Sequence, residues 1–245
     1  MSEEKTKNNS WLQGLLIILL VLAAFAIGSM WTELRTIKSG VKPTEQKEAA
    51  VEGIENEEEK TTLTELEWQE VIKTGAGIQG QEGAKIIVVE FTDYQCPFCS
   101  RYSKETLPQL KKEYIDTGKV KYILKDLPLD FHQHSVTAAM AVRCAGDQNK
   151  YWEMHDKLFD NQTAWAELEK VEASFISYAG VIGLDKNIFS DCLNSGKHKE
   201  AVNQDLAVAR KFKVNGTPTF FINGKILVGA QPLAAFKQMI DRELK

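Results

Sequence analysis

The sequence is poor in cysteine, proline and histidine, with four, six and four of these residues among 245. Four cysteines are too few for a mini-protein built on disulfides, and a chain of this length buries its own hydrophobic core. The net charge is −4 and the pI about 5.7, which excludes the strongly basic surface typical of nucleic-acid binding. The length and composition therefore predict one folded domain of roughly 180 residues and a further segment of the chain.

Two of the four cysteines lie in the segment Cys96-Pro97-Phe98-Cys99, between a strand pattern and a helix pattern. A Cys-x-x-Cys at the start of a helix is typical of a dithiol redox site. The free N–H groups and the positive end of the helix dipole favour a thiolate at Cys96, and Pro97 suits the first helical turn. We therefore expect Cys96 to be the exposed nucleophile and Cys99 the buried resolving partner.

Two other interpretations of the Cys-x-x-Cys segment are a zinc site and a pair of structural cysteines without chemistry. A zinc site needs a second pair of ligands at suitable spacing. Cys144 and Cys192 stand alone, and His132 and His134 lie only two residues apart with no cysteine nearby. The sequence therefore favours redox chemistry over metal binding.

Residues 11–31 form an uncharged apolar stretch with Trp11 and Trp31 at its ends. About 20 residues at about 1.5 Å each match the hydrocarbon core of a bilayer, and tryptophan belongs at its two interfaces. We interpret 11–31 as a transmembrane anchor that follows a cytoplasmic tail at 1–10. A signal peptide cleaved near Ala26 is the alternative.

Residues 32–62 contain many glutamates and few apolar residues, which predicts a solvated acidic linker, with a helical stalk as the alternative. The folded domain then covers 63–245. Basic residues flank the apolar stretch on both sides, so the positive-inside rule does not orient it. The placement of 63–245 outside the cytoplasm therefore rests on the redox chemistry.

Within the folded domain, Thr64 and Glu67 fit a capping box at the start of a short helix. Four glycines between 75 and 83 are expected to break the chain before a strand at about 85–91. The order strand, helix, strand implies a parallel crossover, and Asn223-Gly224 predicts a type I′ hairpin. The remaining expected elements are the active-site helix from Pro97 to about Tyr114, a strand at 120–125, helices at 133–146, 148–160, 168–180, 185–195 and 197–213, and a final helix from about Pro232 to Leu244.

This order of elements resembles the thioredoxin fold, and the helical block inserted at about 130–213 is similar to that of the DsbA-like thiol–disulfide oxidoreductases. The resemblance covers about 75–242 and rests on the segments 91–99, 216–220 and 229–232. It implies an α/β thioredoxin fold with an inserted helical domain, preceded here by a transmembrane helix. It points to membrane-tethered or secreted bacterial members, and thus to a single-pass protein of the bacterial cell membrane with an extracytoplasmic domain.

The same resemblance implies roles for residues outside the cysteine pair. Pro218 would be cis and pack against the disulfide, and Thr217 would offer its backbone to a substrate and its hydroxyl to the sulfurs. Glu90 would be a buried acid that takes the proton of Cys99, with Lys125 as its counter-charge. Without the resemblance, Glu90 could equally face solvent and Lys125 could be a solvated strand end.

Cys144 and Cys192 lie in two separate predicted helices, at positions that are predicted to face the protein interior. Some relatives carry a second bridge in this helical block, so the resemblance implies a structural disulfide between them. Two buried thiols or a second redox pair are the alternatives. We interpret His132 and His134 as loop or cap residues, and His155 as a helix-surface residue.

Of these expectations, the direction of the redox reaction has the least direct support in the sequence. Phe98 stands where the strongest oxidants of the family carry histidine, and Thr217 is more similar to the isomerases. The helical insert nevertheless favours an oxidase of exported proteins, with an isomerase, a reductase or a non-enzymatic scaffold as alternatives. The dithiol itself carries the electrons, so no cofactor is implied. The expected partners are protein thiols and a membrane thiol oxidase that reoxidises the dithiol.

Overall fold

The computed structural model describes residues 62–245. The predicted tail at 1–10, the predicted anchor at 11–31 and all but the last residue of the predicted linker at 32–62 lie outside the described residues. Within 62–245, no helix is both long and apolar enough to cross a bilayer.

The described chain forms one mixed sheet, and helices precede its first strand, connect some of its strands and follow its last strand. Its elements in order are α1 (Glu65–Ile72), β1 (Gly77–Gln79), β2 (Ile86–Thr92), α2 (Pro97–Glu105), α3 (Leu107–Leu110), a π-helical turn (Lys111–Ile115), β3 (Val120–Asp126), α4 (Ser135–Gly146), α5 (Tyr151–Asp160), α6 (Gln162–Trp165), α7 (Glu172–Val181), α8 (Lys186–Ser195), α9 (Lys199–Lys211), β4 (Thr219–Ile222), β5 (Lys225–Val228) and α10 (Leu233–Leu244).

The strands form a sheet in the order β1-β3-β2-β4-β5. Strands β2 and β3 are parallel, and the other neighbouring strands are antiparallel. Because helices cover both faces, the central strand β2 is buried along nearly its whole length and reads as a continuous apolar run. The helices α4 to α9 lie between β3 and β4 in the chain, so this is a thioredoxin-like fold with a helical insertion.

The register between β2 and β3 decides which side chains share a face of the sheet. Glu90 is paired with Leu124, and Phe91 with Lys125. Since neighbouring residues of a strand point to opposite faces, Glu90 and Lys125 lie on opposite sides of the sheet. This register places Glu90 on the same face as Tyr122, two residues before Leu124 in β3.

The glycine-rich segment before β2 contains a strand that the sequence interpretation missed. Gly77 is paired with Leu124 in an antiparallel arrangement that makes β1 an edge of the sheet. A Cβ atom at Gly77 would lie 2.2 Å from the ring of Tyr151, so the glycine allows close packing of the strand against α5. The expectation of a chain break was therefore wrong for Gly77, which lies in a strand and makes room for a neighbouring ring. Gly80 and Gly83, with φ angles of 90° and 81°, do lie in a break between β1 and β2.

The active-site helix is shorter than expected, because α2 ends at Glu105 and not near Tyr114. Pro108 lacks the N–H that would bond to the carbonyl four residues earlier, and its ring would clash with that carbonyl. A new helix, α3, therefore begins after α2, and the π-helical turn follows it.

The predicted hairpin and helical block are confirmed. Asn223 and Gly224 have φ angles of 45° and 81°, as a type I′ turn requires. The predicted capping box is also present, with Thr64 and Glu67 bonded reciprocally. Helices occupy each predicted region of the insertion, and the one-turn helix α6 is an addition that its four residues were too short to reveal.

Candidate active site

The two cysteines of the Cys-x-x-Cys segment lie at the start of α2. Cys96 is in an extended conformation at the N-cap position, and Pro97 occupies the first helical turn. Both cysteines carry free thiols, and Cys99 is fully buried as predicted. Cys96 is only 4% exposed, so the expectation of an exposed nucleophile was wrong. Its exposed neighbour on the surface is Phe98.

The inserted helical block is bonded to the backbone on either side of Cys96. The side-chain amide of Gln162, in α6, donates to the carbonyl oxygens of Tyr94 at 2.8 Å and Cys96 at 3.0 Å. The side-chain amide of Gln95 reaches back to the carbonyl oxygen of Ala166 at 2.9 Å. These bonds hold the helical block against the backbone that carries the cysteine.

The surroundings of the two thiols separate their pKa values. A hydrogen bond from the Cys99 thiol, together with Thr217 and the backbone N–H groups of Cys99 and Phe98, lowers the pKa of Cys96 to about 6 against the opposing effect of burial. Burial, the neighbouring Cys96 and the charge of Glu90 raise the pKa of Cys99 well above its ordinary value. The negative charge of the pair therefore lies on Cys96.

The residues before β4 close the other side of the site. The peptide bond between Thr217 and Pro218 is cis, as the resemblance implied. The Cys96 thiol donates to the carbonyl oxygen of Thr217 at 3.4 Å. The hydroxyl of Thr217 is buried and lies close enough to Cys96 to lower its pKa, although it is not aligned as a regular hydrogen bond. The predicted proximity of this hydroxyl to the cysteine is therefore present.

Glu90 is buried in β2, at 1% exposure. The Tyr122 hydroxyl donates to its carboxylate, and the hydroxyl groups of Tyr122 and Tyr102 lie 3.1 Å apart. Burial raises the pKa of Glu90, partly offset by Tyr122, and the charge of Glu90 raises the pKa of Cys99. The structure therefore places a buried acid with a raised pKa where it influences the resolving cysteine.

Lys125 is not the counter-charge of Glu90, and that prediction was wrong. Its ammonium lies 3.0 Å from the carboxylate of Asp205 and 2.8 Å from the hydroxyl of Thr74, on the opposite face of the sheet. The physical reason is the register of β3, which aligns Lys125 with Phe91 rather than with Glu90.

His155 is a residue of this region that the sequence interpretation misplaced on a helix surface. It is fully buried in α5, and its Nδ1 lies 2.8 Å from the carboxylate of Asp156. Its Nε2 has no hydrogen-bond partner among residues 62–245, and its charge lowers the pKa of Glu90. The helical spacing of Tyr151, His155 and Phe159 was the signal that could have identified it as buried.

His132 and His134 belong to the loop beside the site, in agreement with the loop or cap interpretation. The Asp93 carboxylate lies 2.7 Å from Nδ1 of His132 and accepts from the backbone N–H of Leu129 at 2.8 Å. The backbone N–H of His134, at the N-cap position of α4, donates to the Gln95 side chain at 2.8 Å. Asp93, which the sequence interpretation did not single out, thus connects the active-site loop to the chain before α4.

Cys144 and Cys192 form the predicted disulfide, which joins α4 to α8 across 48 residues of sequence. The alternative of two buried thiols was therefore wrong. A bridge of this span contributes about 4 kcal/mol to the free energy of unfolding in the chain-entropy model.

The thiolate of Cys96 yields the first testable prediction. In the reduced protein, the rate of Cys96 alkylation by iodoacetamide should rise with pH through a midpoint at about 6 and then level off. Mass spectrometry of the alkylated peptide measures this rate. The Cys99→Ala variant should shift the midpoint upward, because the Cys99 thiol makes the largest contribution to the low pKa. A midpoint near 8.5, the ordinary value for a free thiol, would contradict the assignment.

The fold and the dithiol at a helix N-terminus together define a thioredoxin-type thiol–disulfide site. The sequence model of the thioredoxin family matches residues 72–242. The chain therefore belongs to this family.

Relatives and solved structures agree with this placement. A Bacillus cereus relative named disulfide bond formation protein D is 33% identical over 68% of this chain and 77% of its own length. A Rickettsia felis relative named as a protein-disulfide oxidoreductase is 30% identical over 69% of this chain, but this chain spans only 60% of that relative.

Two crystal structures match the fold. Oxidised BdbD from Bacillus subtilis has a TM-score of 0.63 and 26% identity, over 68% of this chain and 91% of that chain. The protein α-DsbA1 from Wolbachia pipientis has a TM-score of 0.61 and 27% identity, over 67% of this chain and 88% of that chain.

Proposed function

We propose that this protein oxidises cysteine pairs of exported proteins through Cys96 and Cys99. The observation that carries the proposal is the pKa of about 6 at Cys96 beside a fully buried Cys99. A thiolate stabilised at neutral pH favours the reduced form of the dithiol, and the oxidised form then becomes a stronger acceptor of electrons.

The reaction begins when a substrate thiolate attacks Cys96 Sγ of the oxidised pair. The bond between Cys96 and Cys99 breaks, and a mixed disulfide forms between the substrate and Cys96. The second substrate thiolate then attacks the substrate sulfur of this mixed disulfide and releases the Cys96 thiolate. Two electrons pass from the substrate to the protein, and the substrate leaves with a new disulfide.

Glu90 supplies the proton that the departing Cys99 sulfur needs. The raised pKa of Cys99 means that its thiolate is a poor leaving group unless it is protonated. Burial raises the pKa of Glu90, which favours the protonated carboxyl that this step needs as its proton donor. The charge of His155 lowers the pKa of Glu90, and Nδ1 of His155 contacts Asp156, whose side chain is 68% exposed.

The Glu90→Gln variant should slow the cleavage of the disulfide by a substrate thiol by at least about 100-fold, the usual size of a general acid–base contribution. The pH midpoint for alkylation of Cys96 should stay close to 6, since Glu90 is not among the groups that set it. Stopped-flow fluorescence with a reduced peptide measures the rate. Glu105→Gln, at an exposed position of α2, is the matched control. Equal rates in the two variants would remove Glu90 from the mechanism.

The equilibrium reduction potential of the full chain, titrated against glutathione, tests the proposed direction. We expect a value above about −200 mV, toward the about −120 mV of DsbA and away from the about −270 mV of thioredoxin. A value near the thioredoxin end would favour a reductase. If the Cys96–Cys99 pair shows no measurable reduction potential, the remaining interpretation is a non-enzymatic membrane-tethered scaffold.

Disulfide isomerisation is the second candidate function, and Phe98 is the observation that favours it. An apolar ring at this position removes the hydrogen bond and charge that a histidine would supply to the thiolate. The Arg101 guanidinium lies 5.3 Å from the Phe98 ring centre and leaves some positive charge near the site. Refolding of a scrambled disulfide protein, compared with refolding of the same protein fully reduced, separates the two activities.

We also propose that residues 11–31 anchor the chain in the bacterial cell membrane, with the folded domain outside the cytoplasm. The Cys144–Cys192 bridge supports this placement, because structural disulfides persist in oxidising compartments. The partners are then exported protein thiols and a membrane thiol oxidase that reoxidises the dithiol. The exposed rings of Phe98 and Phe131 offer apolar contacts to such chains.

A further inference from the structure

The bridge in the helical block has further metal-ligating groups around it. The sulfurs of Cys144 and Cys192 and a ring nitrogen of His198 all lie within 4.8 Å of one another. The carboxylate oxygen Oδ2 of Asp147 lies 3.5 Å from the Cys192 sulfur and 2.9 Å from Nε2 of His198. Two sulfurs and an imidazole therefore lie close together, and the Asp147 carboxylate lies beside two of these three groups.

Helix ends hold these four groups in place. Cys144 lies in the last turn of α4 and Asp147 directly follows that helix. Cys192 lies in α8, and His198 directly precedes α9. The turn between α8 and α9 is tight because Gly196 adopts a left-handed conformation. The arrangement of the donors is thus a property of the backbone and not of the bridge alone.

We propose that reduction of the Cys144–Cys192 bridge creates a binding site for a thiophilic divalent cation of the Zn²⁺ class. The ligands are Cys144, Cys192, His198 and Asp147. Structural zinc sites are tetrahedral and take thiolate, imidazole and carboxylate ligands at about 2.0–2.3 Å from the ion. Ligand atoms in such a site lie about 3.3–3.8 Å apart, so the two sulfurs separate on reduction and the Asp147 carboxylate moves in beside them.

The change of state balances in electrons and protons. A reduced dithiol gives two electrons to the bridge and itself becomes a disulfide, and Cys144 and Cys192 become thiols. Binding of the cation then displaces the two thiol protons, because the ligands are thiolates. Exchange with a substrate or small-molecule disulfide takes the two electrons back: that disulfide becomes a dithiol, the Cys144–Cys192 bridge forms again and the cation is released.

The surroundings provide access to the site and a competing charge. Asp147 and His198 line an open cavity of about 410 Å³, through which an ion reaches them from solvent. The Lys197 ammonium lies 2.9 Å from the same Asp147 oxygen, and its side chain is 57% exposed. Because this lysine is free to swing into solvent, the carboxylate becomes available to the cation.

Cobalt binding to the full chain tests the proposal, because Co²⁺ takes the place of Zn²⁺ and reports its own coordination. A Cys96→Ser/Cys99→Ser background removes the other dithiol. After reduction with a phosphine, one Co²⁺ per chain should bind with thiolate charge-transfer bands and the visible bands of four-coordinate cobalt. The oxidised protein should show neither set of bands. Zn²⁺ should then displace the cobalt.

His198→Ala should weaken Co²⁺ binding by at least about tenfold. This variant keeps the bridge and therefore folds before reduction. Replacement of both Cys144 and Cys192 by serine should abolish binding, and Glu153→Gln, which lines the same cavity, should leave it unchanged. No binding after reduction, binding in the oxidised chain, insensitivity to His198→Ala or unfolding on reduction in the presence of Co²⁺ would each overturn the proposal.

Discussion

Replacement of Cys96 by serine is expected to lower the rate of disulfide transfer to a reduced substrate by at least about 1,000-fold. The cause is the loss of the thiolate, since a serine hydroxyl stays protonated at neutral pH and forms no mixed disulfide. The stability of the fold should change little, because Cys96 lies at the N-cap position of α2, where serine is a favoured residue. Oxidative refolding of a reduced substrate protein measures the rate.

The matched variant is Cys99→Ser, which keeps the nucleophile and removes the resolving sulfur. Its Cys96 thiolate should attack the disulfide of an oxidised substrate and displace one substrate thiolate. The resulting mixed disulfide should persist and be visible as a mass increase that a reductant reverses. The paired Cys144→Ser/Cys192→Ser variant should keep disulfide transfer. Full biological function of Cys96→Ser in cells would sink the oxidoreductase proposal and favour the scaffold.

Replacement of Asp205 by asparagine should lower the free energy of unfolding by about 3–5 kcal/mol. The Asp205 carboxylate, in α9, accepts hydrogen bonds from Lys125 at 3.0 Å and Arg143 at 2.5 Å, and from the backbone N–H of Asp126 at 3.1 Å. Lys125 is completely buried, so the variant leaves an ammonium without its carboxylate in the protein interior. Urea denaturation of the oxidised protein measures the change.

Two further variants test whether this loss comes from buried charge. Lys125→Met in the Asp205→Asn background should recover much of the stability, because it removes the uncompensated ammonium. Asp116→Asn breaks an exposed ion pair with Lys111 and should cost less than about 1 kcal/mol. Similar costs for Asp116→Asn and Asp205→Asn would show that burial does not govern the strength of this network.

The sequence predicted the local features of the site well. The Cys-x-x-Cys segment, the hairpin at Asn223-Gly224 and the capping box at Thr64 each depend on residues within four positions of one another. Such features follow from backbone preferences that neighbouring residues set. The α/β order and the helical insertion followed from the succession of these local patterns.

Features that depend on distant contacts were not predictable in the same way. The face of the sheet that Lys125 occupies depends on the register between β2 and β3, and one residue of slip would reverse it. The strand β1 has three residues, too few to show an alternating pattern. The side-chain amide that bonds to the Cys96 carbonyl comes from Gln162, which lies 66 residues away in the chain.

Gln162 has a consequence for the design of chimaeric proteins. Its side-chain amide bonds to backbone carbonyls on both sides of Gln95, and Gln95 in turn bonds to the carbonyl of Ala166. The inserted helices therefore cannot be replaced, as an independent unit, by those of a relative. A grafted insertion that lacks this glutamine would remove the side-chain donor to the Cys96 carbonyl and leave it the backbone N–H of Ser100. The boundary between the two parent sequences would then pass through the catalytic centre.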